Sequence, residues 1–139
     1  MEDIYAVRKA VERLAITWAI ENADEEKITE LGQHLELMNF YTENNSYEKL
    51  LEANEQFHSM IYQMTGSRFI VQILKTYQDY VHTARKNTLK KEENLPLIFK
   101  EHEAIYKAMA AKDIQAAGDA VELHMDNTAK RAHERWLGK

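Results

Sequence analysis

One proline and four glycines in 139 residues leave few places where a helix is forced to stop. Between them, apolar residues recur at steps of three and four, the spacing of one helical face. No segment sustains the two-residue alternation and β-branched enrichment of a strand. The first run directs Ile4, Val7, Val11, Leu14 and Trp18 inward. A second starts at Asp24, a residue type that caps helix N-termini, and carries Ile28, Leu31, Leu35 and Met38 up to the Asn44-Asn45 break. Ser46 opens a third, with Leu50, Asn54, Phe57, Ile61 and Met64, which stops at Gly66. Ser67 opens a fourth, with Ile70, Leu74, Tyr77 and Val81. Pro96 stands near the start of a fifth (Ile98, His102, Ile105, Met109), and Asp113 caps a sixth (Ile114, Ala117, Val121, His124, Thr128). The pattern predicts an all-α antiparallel bundle of about six helices joined by short loops. The loop around residues 87–95 is the longest and most charged, and is the expected mobile segment. No linker-like stretch divides the chain, so residues 1–139 read as a single domain.

Three histidines stand where that pattern calls for leucines. His58, His102 and His124 each occupy the inward stripe of a different helix, whereas His34, His82 and His133 fall beside their stripes. An imidazole inside a bundle loses its water and, without a partner, destabilises the fold by roughly 1–3 kcal/mol. Asn54 lies one turn before His58, which puts both side chains on one face about 6 Å apart. An amide oxygen and an imidazole from one helix, with imidazoles from two others, form a donor set for one metal ion. The alternative is a hydrogen-bonded polar core holding buried water. Three imidazoles on a tetrahedral or octahedral ion leave at least one position open for water or ligand, as in a working rather than a purely structural site.

Composition narrows the chemistry. There is no cysteine, so a metal site here must use imidazole, amide, carboxylate and water. Zinc is the first candidate for such a site, with nickel, manganese, cobalt or iron also open. A net charge of -5 is the wrong sign for a nucleic-acid face. The basic cluster Arg85, Lys86, Lys90 and Lys91 reads as a solvated helix end. No run approaches the roughly 18 apolar residues of a membrane span and no signal-peptide pattern opens the chain, so a cytoplasmic protein without membrane contact is expected.

Arg8 falls on the series Ile4, Arg8, Val11, Ala15, which carries its guanidinium toward the interior. An inward arginine needs an anion, and a carboxylate matches its fork. A protein glutamate or the acid group of a small ligand would each serve. Glu55-Gln56-Phe57-His58 has the Glu-x-x-His form of di-iron bundles, but that chemistry needs a second copy on another helix. The residues three before His102 and His124 are Phe99 and Val121, so the di-iron reading fails.

Several of these residues stand in a familiar order. Asn54-Glu55-Gln56-Phe57-His58 followed by Met64-Thr65-Gly66-Ser67 resembles the Asp-x-x-Phe-His…Gly-Asn pattern of the FCD domain, the C-terminal effector-sensing domain of FadR-type bacterial regulators in the GntR family. Tyr5 to Glu12 is similar to that family's opening Glu-x-Arg-x-x-Leu-Glu helix. Glu101-His102, Ala108, Asp113, Ala116-Ala117 and His124 resemble its closing block. The resemblance implies an antiparallel bundle around a central metal and ligand cavity. The ion would be held at the positions of Asn54, His58, His102 and His124, and a small carboxylate effector bound above it with help from Arg8. It also implies a homodimer, and DNA contact only through an N-terminal winged helix-turn-helix domain. Two departures stand out. Asn54 replaces the usual aspartate, which raises the net charge of the site by one unit and weakens the grip on the metal. The winged-helix domain is not represented, since residue 1 already aligns with the start of the sensing domain.

Three function classes follow. The first is a metal-assisted sensor of a small organic acid that controls transcription through that further domain. The second is a metal-dependent hydrolase with Glu55, Glu101 or Glu122 as base, although none is aimed at the site: Glu101, for one, diverges by about 100° from the adjacent inward His102. The third is a structural or dimerising bundle with a polar core.

Overall fold

The computed structural model describes residues 2–88 and 94–137, with side chains over 3–83 and 94–134. Six helices account for it: α1 (Glu2–Asn22), α2 (Glu25–Glu43), α3 (Tyr47–Met64), α4 (Arg68–Thr88), α5 (Leu95–Ala110) and α6 (Ile114–Leu137). No strand occurs among the described residues. The fold class is therefore the all-α bundle that the periodicity predicts.

Local chemistry explains the breaks. Asp24 accepts a hydrogen bond from the Lys27 amide at 2.9 Å, and Asp113 accepts one from the Ala116 amide at 3.0 Å. Ser67 Oγ accepts from the Ile70 amide at 3.1 Å. Ser46 holds the cap position of α3 without a side-chain bond. The α2–α3 turn instead relies on Asn45 in the left-handed region (φ 54°), a conformation that asparagine tolerates. Gly66, at φ 71°, makes the same reversal after α3. At α5 the cap is Asn94, which accepts from the Leu97 amide at 3.1 Å, with Pro96 in the first turn where its absent N–H costs nothing.

The most extensive packing joins the two ends of the chain, α1 against α6. Lys9 pairs with Asp126, whereas Arg13 pairs with Asp119 and Glu122, so the two helices run antiparallel. α5 packs on α6 and α2, while α3 packs on α2, α1 and α4. The main core runs from Ile16 and Ala19 through Leu31, Met38, Leu50, Phe57, Ile105 and Met109 to Val121 and Met125.

The apolar stripes expected on α2, α3 and α5 face inward, but α1 is rotated from its predicted phase. Val7 and Leu14 are 49% and 43% exposed, while Arg8, Glu12, Ala15, Ile16, Ala19 and Ile20 are buried. α1 carries apolar residues on two adjoining faces, and burial of Arg8 with Glu12 selects the face that the larger side chains do not mark. Of the loop expected around residues 87–95, residues 87–88 end α4 and 95 begins α5, while 89–93 and the side chains of Arg85, Lys86, Lys90 and Lys91 lie outside the described residues.

Candidate metal centre

Helices α3, α5 and α6 each turn one imidazole to a common point. His58 Nε2 lies 3.2 Å from His102 Nε2 and 3.2 Å from His124 Nε2. One ligand atom from each residue lies within 4.8 Å of the others, and all three side chains are buried. The rings of His58 and His124 are nearly parallel, and His102 meets His124 edge-on at 4.5 Å between centroids. Phe57, fully buried, packs nearly perpendicular to both His58 and His102.

Hydrogen bonds fix the tautomers of two rings. His102 Nδ1 lies 2.9 Å from the Ile98 carbonyl, which can only accept, so Nδ1 carries the hydrogen. His124 Nδ1 donates to Glu101 Oε1 at 2.6 Å. In a neutral imidazole the other nitrogen is then a bare lone pair, and both lone pairs face His58. A hydrogen on His58 Nε2 satisfies one of them but not both. Burial holds both rings neutral: it pushes His102 well below the usual imidazole range, with nearby His124 adding to the shift. It also pushes His124 down, against the opposing pull of Glu101.

Glu101 is ionised. Burial alone would raise its carboxyl, but hydrogen bonds from His124 and Arg131 outweigh burial and bring it down to about 2. Asn127 Nδ2 adds a bond at 2.9 Å and Arg131 spans both oxygens at 2.9 and 3.0 Å. Glu101 does diverge from His102 on its own helix, as expected, and that divergence carries it across to α6. There it orients a histidine rather than activating a water.

The arrangement fits a cation. At a metal–nitrogen distance of roughly 2.0–2.1 Å, tetrahedral geometry separates two nitrogens by roughly 3.3 Å and cis-octahedral geometry by roughly 2.9 Å. The observed 3.2 Å lies between them. Asn54 supplies a second indication. Its side chain lines the same cleft as the histidines, and its buried Oδ1 has no hydrogen-bond partner. A buried amide oxygen in that condition costs about 1–3 kcal/mol unless an electrophile reaches it.

The cleft above the histidines measures about 50 Å³. Arg8 lines it from α1, and Arg131 and Thr128 from α6. Gln78 and His82 reach it from α4, with Glu55 on the α3 side. Arg8 is buried and has the protein partner that its position demands: Nε donates to Glu12 Oε2 at 3.1 Å, and Tyr62 Oη donates to the same oxygen at 2.5 Å. Burial works against the Arg8 charge, but Glu12 and Tyr62 prevail and raise its pKa.

The periodicity missed Arg131, Gln78 and His82. His82 sits off its stripe, as expected, yet Nδ1 pairs with Glu55 at 2.6 Å at the cleft. A signal for Arg131 was available: His124, Asn127 and Arg131 stand at i, i+3 and i+7 on one face of α6.

The FCD domain profile matches residues 3–127. The chain is 26% identical over 128 residues to the uncharacterized HTH-type transcriptional regulator YdhC of Bacillus subtilis (strain 168), covering 91% of this chain and 57% of that protein. Its fold superimposes on that of E. coli McbR/YncC with a TM-score of 0.88 at 17% identity, over 97% of this chain and 65% of that one. The chain thus spans less than two thirds of either relative. The FCD family is regulatory rather than enzymatic, which sets the hydrolase alternative aside. With the profile matched from the first helix into the sixth, on the all-α fold expected of it, this chain belongs to the FCD domain family.

Proposed function

We propose that residues 1–139 form the effector-sensing domain of a GntR-type transcription regulator, and that it binds a small carboxylate over a metal ion held by His58, His102, His124 and Asn54. The observation that carries this reading is the convergence of three imidazole nitrogens whose hydrogen bonding leaves lone pairs facing one another. When bound, a divalent cation supplies positive charge and open coordination positions at the floor of the cleft. Zinc suits this borderline donor set, and nickel, cobalt, manganese or iron share it.

Arg8 offers a second cationic contact from α1. Glu12 and Tyr62 hold its Nε side, so an acid in the cleft meets a guanidinium whose direction is already set. A volume of about 50 Å³ restricts that acid to a few heavy atoms, far below the roughly 300–1,000 Å³ of drug-sized pockets. Such a ligand would tie α1 to α3, α5 and α6. It shifts the population of domain arrangements to the extent that it binds one arrangement better than another. DNA contact belongs to a winged helix-turn-helix domain outside this segment, in a cytoplasmic homodimer. Val7 and Leu14 on α1 and Phe69 on α4 are exposed apolar side chains that support the dimer.

A thermal-shift screen of two- to four-carbon mono-, di- and hydroxy-acids on tag-free protein tests the reading. An acid present at a hundredfold excess over its Kd adds about 2.7 kcal/mol and raises Tm by roughly 8–10 °C. Arg8→Ala and Arg8→Lys should each lose most of that acid-induced rise, whatever their baseline Tm. An undiminished rise in both variants would remove Arg8 from the site, and no rise with any acid on wild type would defeat the sensing role.

A further inference from the structure

Among the described residues, four hydrogen bonds from α6 to α5 end on one carboxylate. His124 Nδ1 and Arg131 Nη2 donate to Glu101 Oε1 at 2.6 and 3.0 Å. Asn127 Nδ2 and Arg131 Nη1 donate to Oε2, both at 2.9 Å. A carboxylate has about four lone-pair sites, and here all four are taken. From this geometry we infer that Arg131 and Asn127 act as a positioning clamp which, through Glu101, fixes the ring of His124 and sets how tightly the three-histidine cluster holds a divalent cation. The inference rests on the metal reading given above.

His102 and His124 differ in what aims them. His102 is oriented by the carbonyl of Ile98, one turn back on its own helix, and no side-chain substitution removes that acceptor. His124 is oriented entirely by side chains, and its acceptor is anionic. A carboxylate on the far nitrogen makes an imidazole a stronger donor to a metal, and removing such an outer partner typically weakens metal binding 10–100-fold. Without Arg131, one site on each Glu101 oxygen is bare, and the carboxylate loses its fixed plane. Lysine does not replace it, since an ammonium is a point charge that cannot span both oxygens in parallel. The chain thus places the adjustable ligand of the cluster on α6, with Arg131 seven residues from the histidine it controls.

The test titrates metal-free, tag-free wild type, Glu101→Gln, Arg131→Met, Arg131→Lys and Asn127→Ala with Zn²⁺ in competition with a chromophoric chelator. The visible spectrum of the Co²⁺ forms is recorded, as is the Tm of each protein in EDTA. We expect Zn²⁺ affinity to fall 10–100-fold in Glu101→Gln, about 10-fold in both Arg131 variants and a few-fold in Asn127→Ala, with shifted Co²⁺ bands. Should Arg131→Met fail to fold, Arg131→Lys and Asn127→Ala carry the test. A lower Tm in EDTA with Zn²⁺ affinity within twofold of wild type and an unaltered Co²⁺ spectrum would make the clamp merely structural and overturn the inference. Failure of wild type itself to bind Zn²⁺ or Co²⁺ would overturn the metal reading, and this inference with it.

Discussion

The Arg8–Glu12–Tyr62 corner and the His58–His102–His124 cluster are both buried and both polar, and they meet at one cleft. They settle their hydrogen bonding in opposite ways. In the first, a cation faces an anion and a phenol donates to the same oxygen, so charges and donors balance inside the protein. In the second, two rings spend their hydrogens outward on Ile98 and Glu101 and turn bare nitrogens toward a third. The amide oxygen beside them has no partner. Buried polarity alone therefore does not mark a binding site. What marks one is a cluster whose donors and acceptors cannot be matched from within.

The sharpest test of that contrast removes the open cluster. His102→Ala/His124→Ala should lower Zn²⁺ affinity by more than about a thousand-fold, since two of the imidazole donors are gone. Metal analysis of tag-free protein reads this directly, and unchanged metal content in the double variant would sink the proposed ligation.

The closed corner should respond in the opposite currency. Glu12→Ala leaves Arg8 buried without its anion, and breaking such a pair costs about 3–5 kcal/mol. Urea unfolding of the metal-free protein measures it. Replacing both charges together, as Arg8→Met/Glu12→Leu, should return most of that loss, because neither charge remains stranded. Zn²⁺ affinity should stay within a few-fold of wild type in both. A Glu12→Ala protein with normal stability but impaired metal binding would mean that the two clusters are one.

The open cluster was legible in the sequence and the closed corner only half so, for a physical reason. His58, His102 and His124 interrupt otherwise apolar stripes, and periodicity detects such interruptions. On α1 the apolar residues occupy two adjoining phases, so the large side chains Val7 and Leu14 suggested a face that burial of Arg8 with Glu12 overrides. The series Ile4, Arg8, Val11, Ala15 turns Arg8 inward and leaves its partner open between a protein glutamate and a ligand. Glu12, one turn on, takes its Nε, while the same side chain still lines the cleft. Within its own helix Glu101 diverges from His102, and that local pattern gives no sign of what it meets. Its partners lie 23 to 30 residues on, across a helix pair whose register no local pattern encodes. Residues at the flank of a stripe, such as Gln78 and His82, leave no periodic signal, and only the packing of α4 on α3 brings them to the cleft.

Asn54 gives the smallest expected effect and the finest discrimination, because it belongs to the open cluster without being charged. Asn54→Asp adds an anion beside the three histidines and should raise Zn²⁺ affinity about tenfold, equivalent to about 1.4 kcal/mol. In the metal-free protein the same carboxylate loses its water with no metal ion to pair with, so the urea midpoint in EDTA should fall, by about 1–3 kcal/mol in stability. Asn54→Leu should behave in reverse: it removes a polar oxygen that has no partner, leaves metal-free stability equal or higher, and weakens Zn²⁺ binding a few-fold. A site that needs a cation predicts this crossing of the two readouts. A polar core satisfied by water predicts none, since Asp and Leu would then each weaken the metal-free fold and neither would change Zn²⁺ affinity. The crossing also bears on the acid, since an aspartate here would cancel one unit of the positive charge that draws a carboxylate into the cleft. On the proposed reading, asparagine at this position gives up metal affinity in favour of the anion, and a wild-type protein that binds acids more weakly than its Asn54→Asp variant would contradict it.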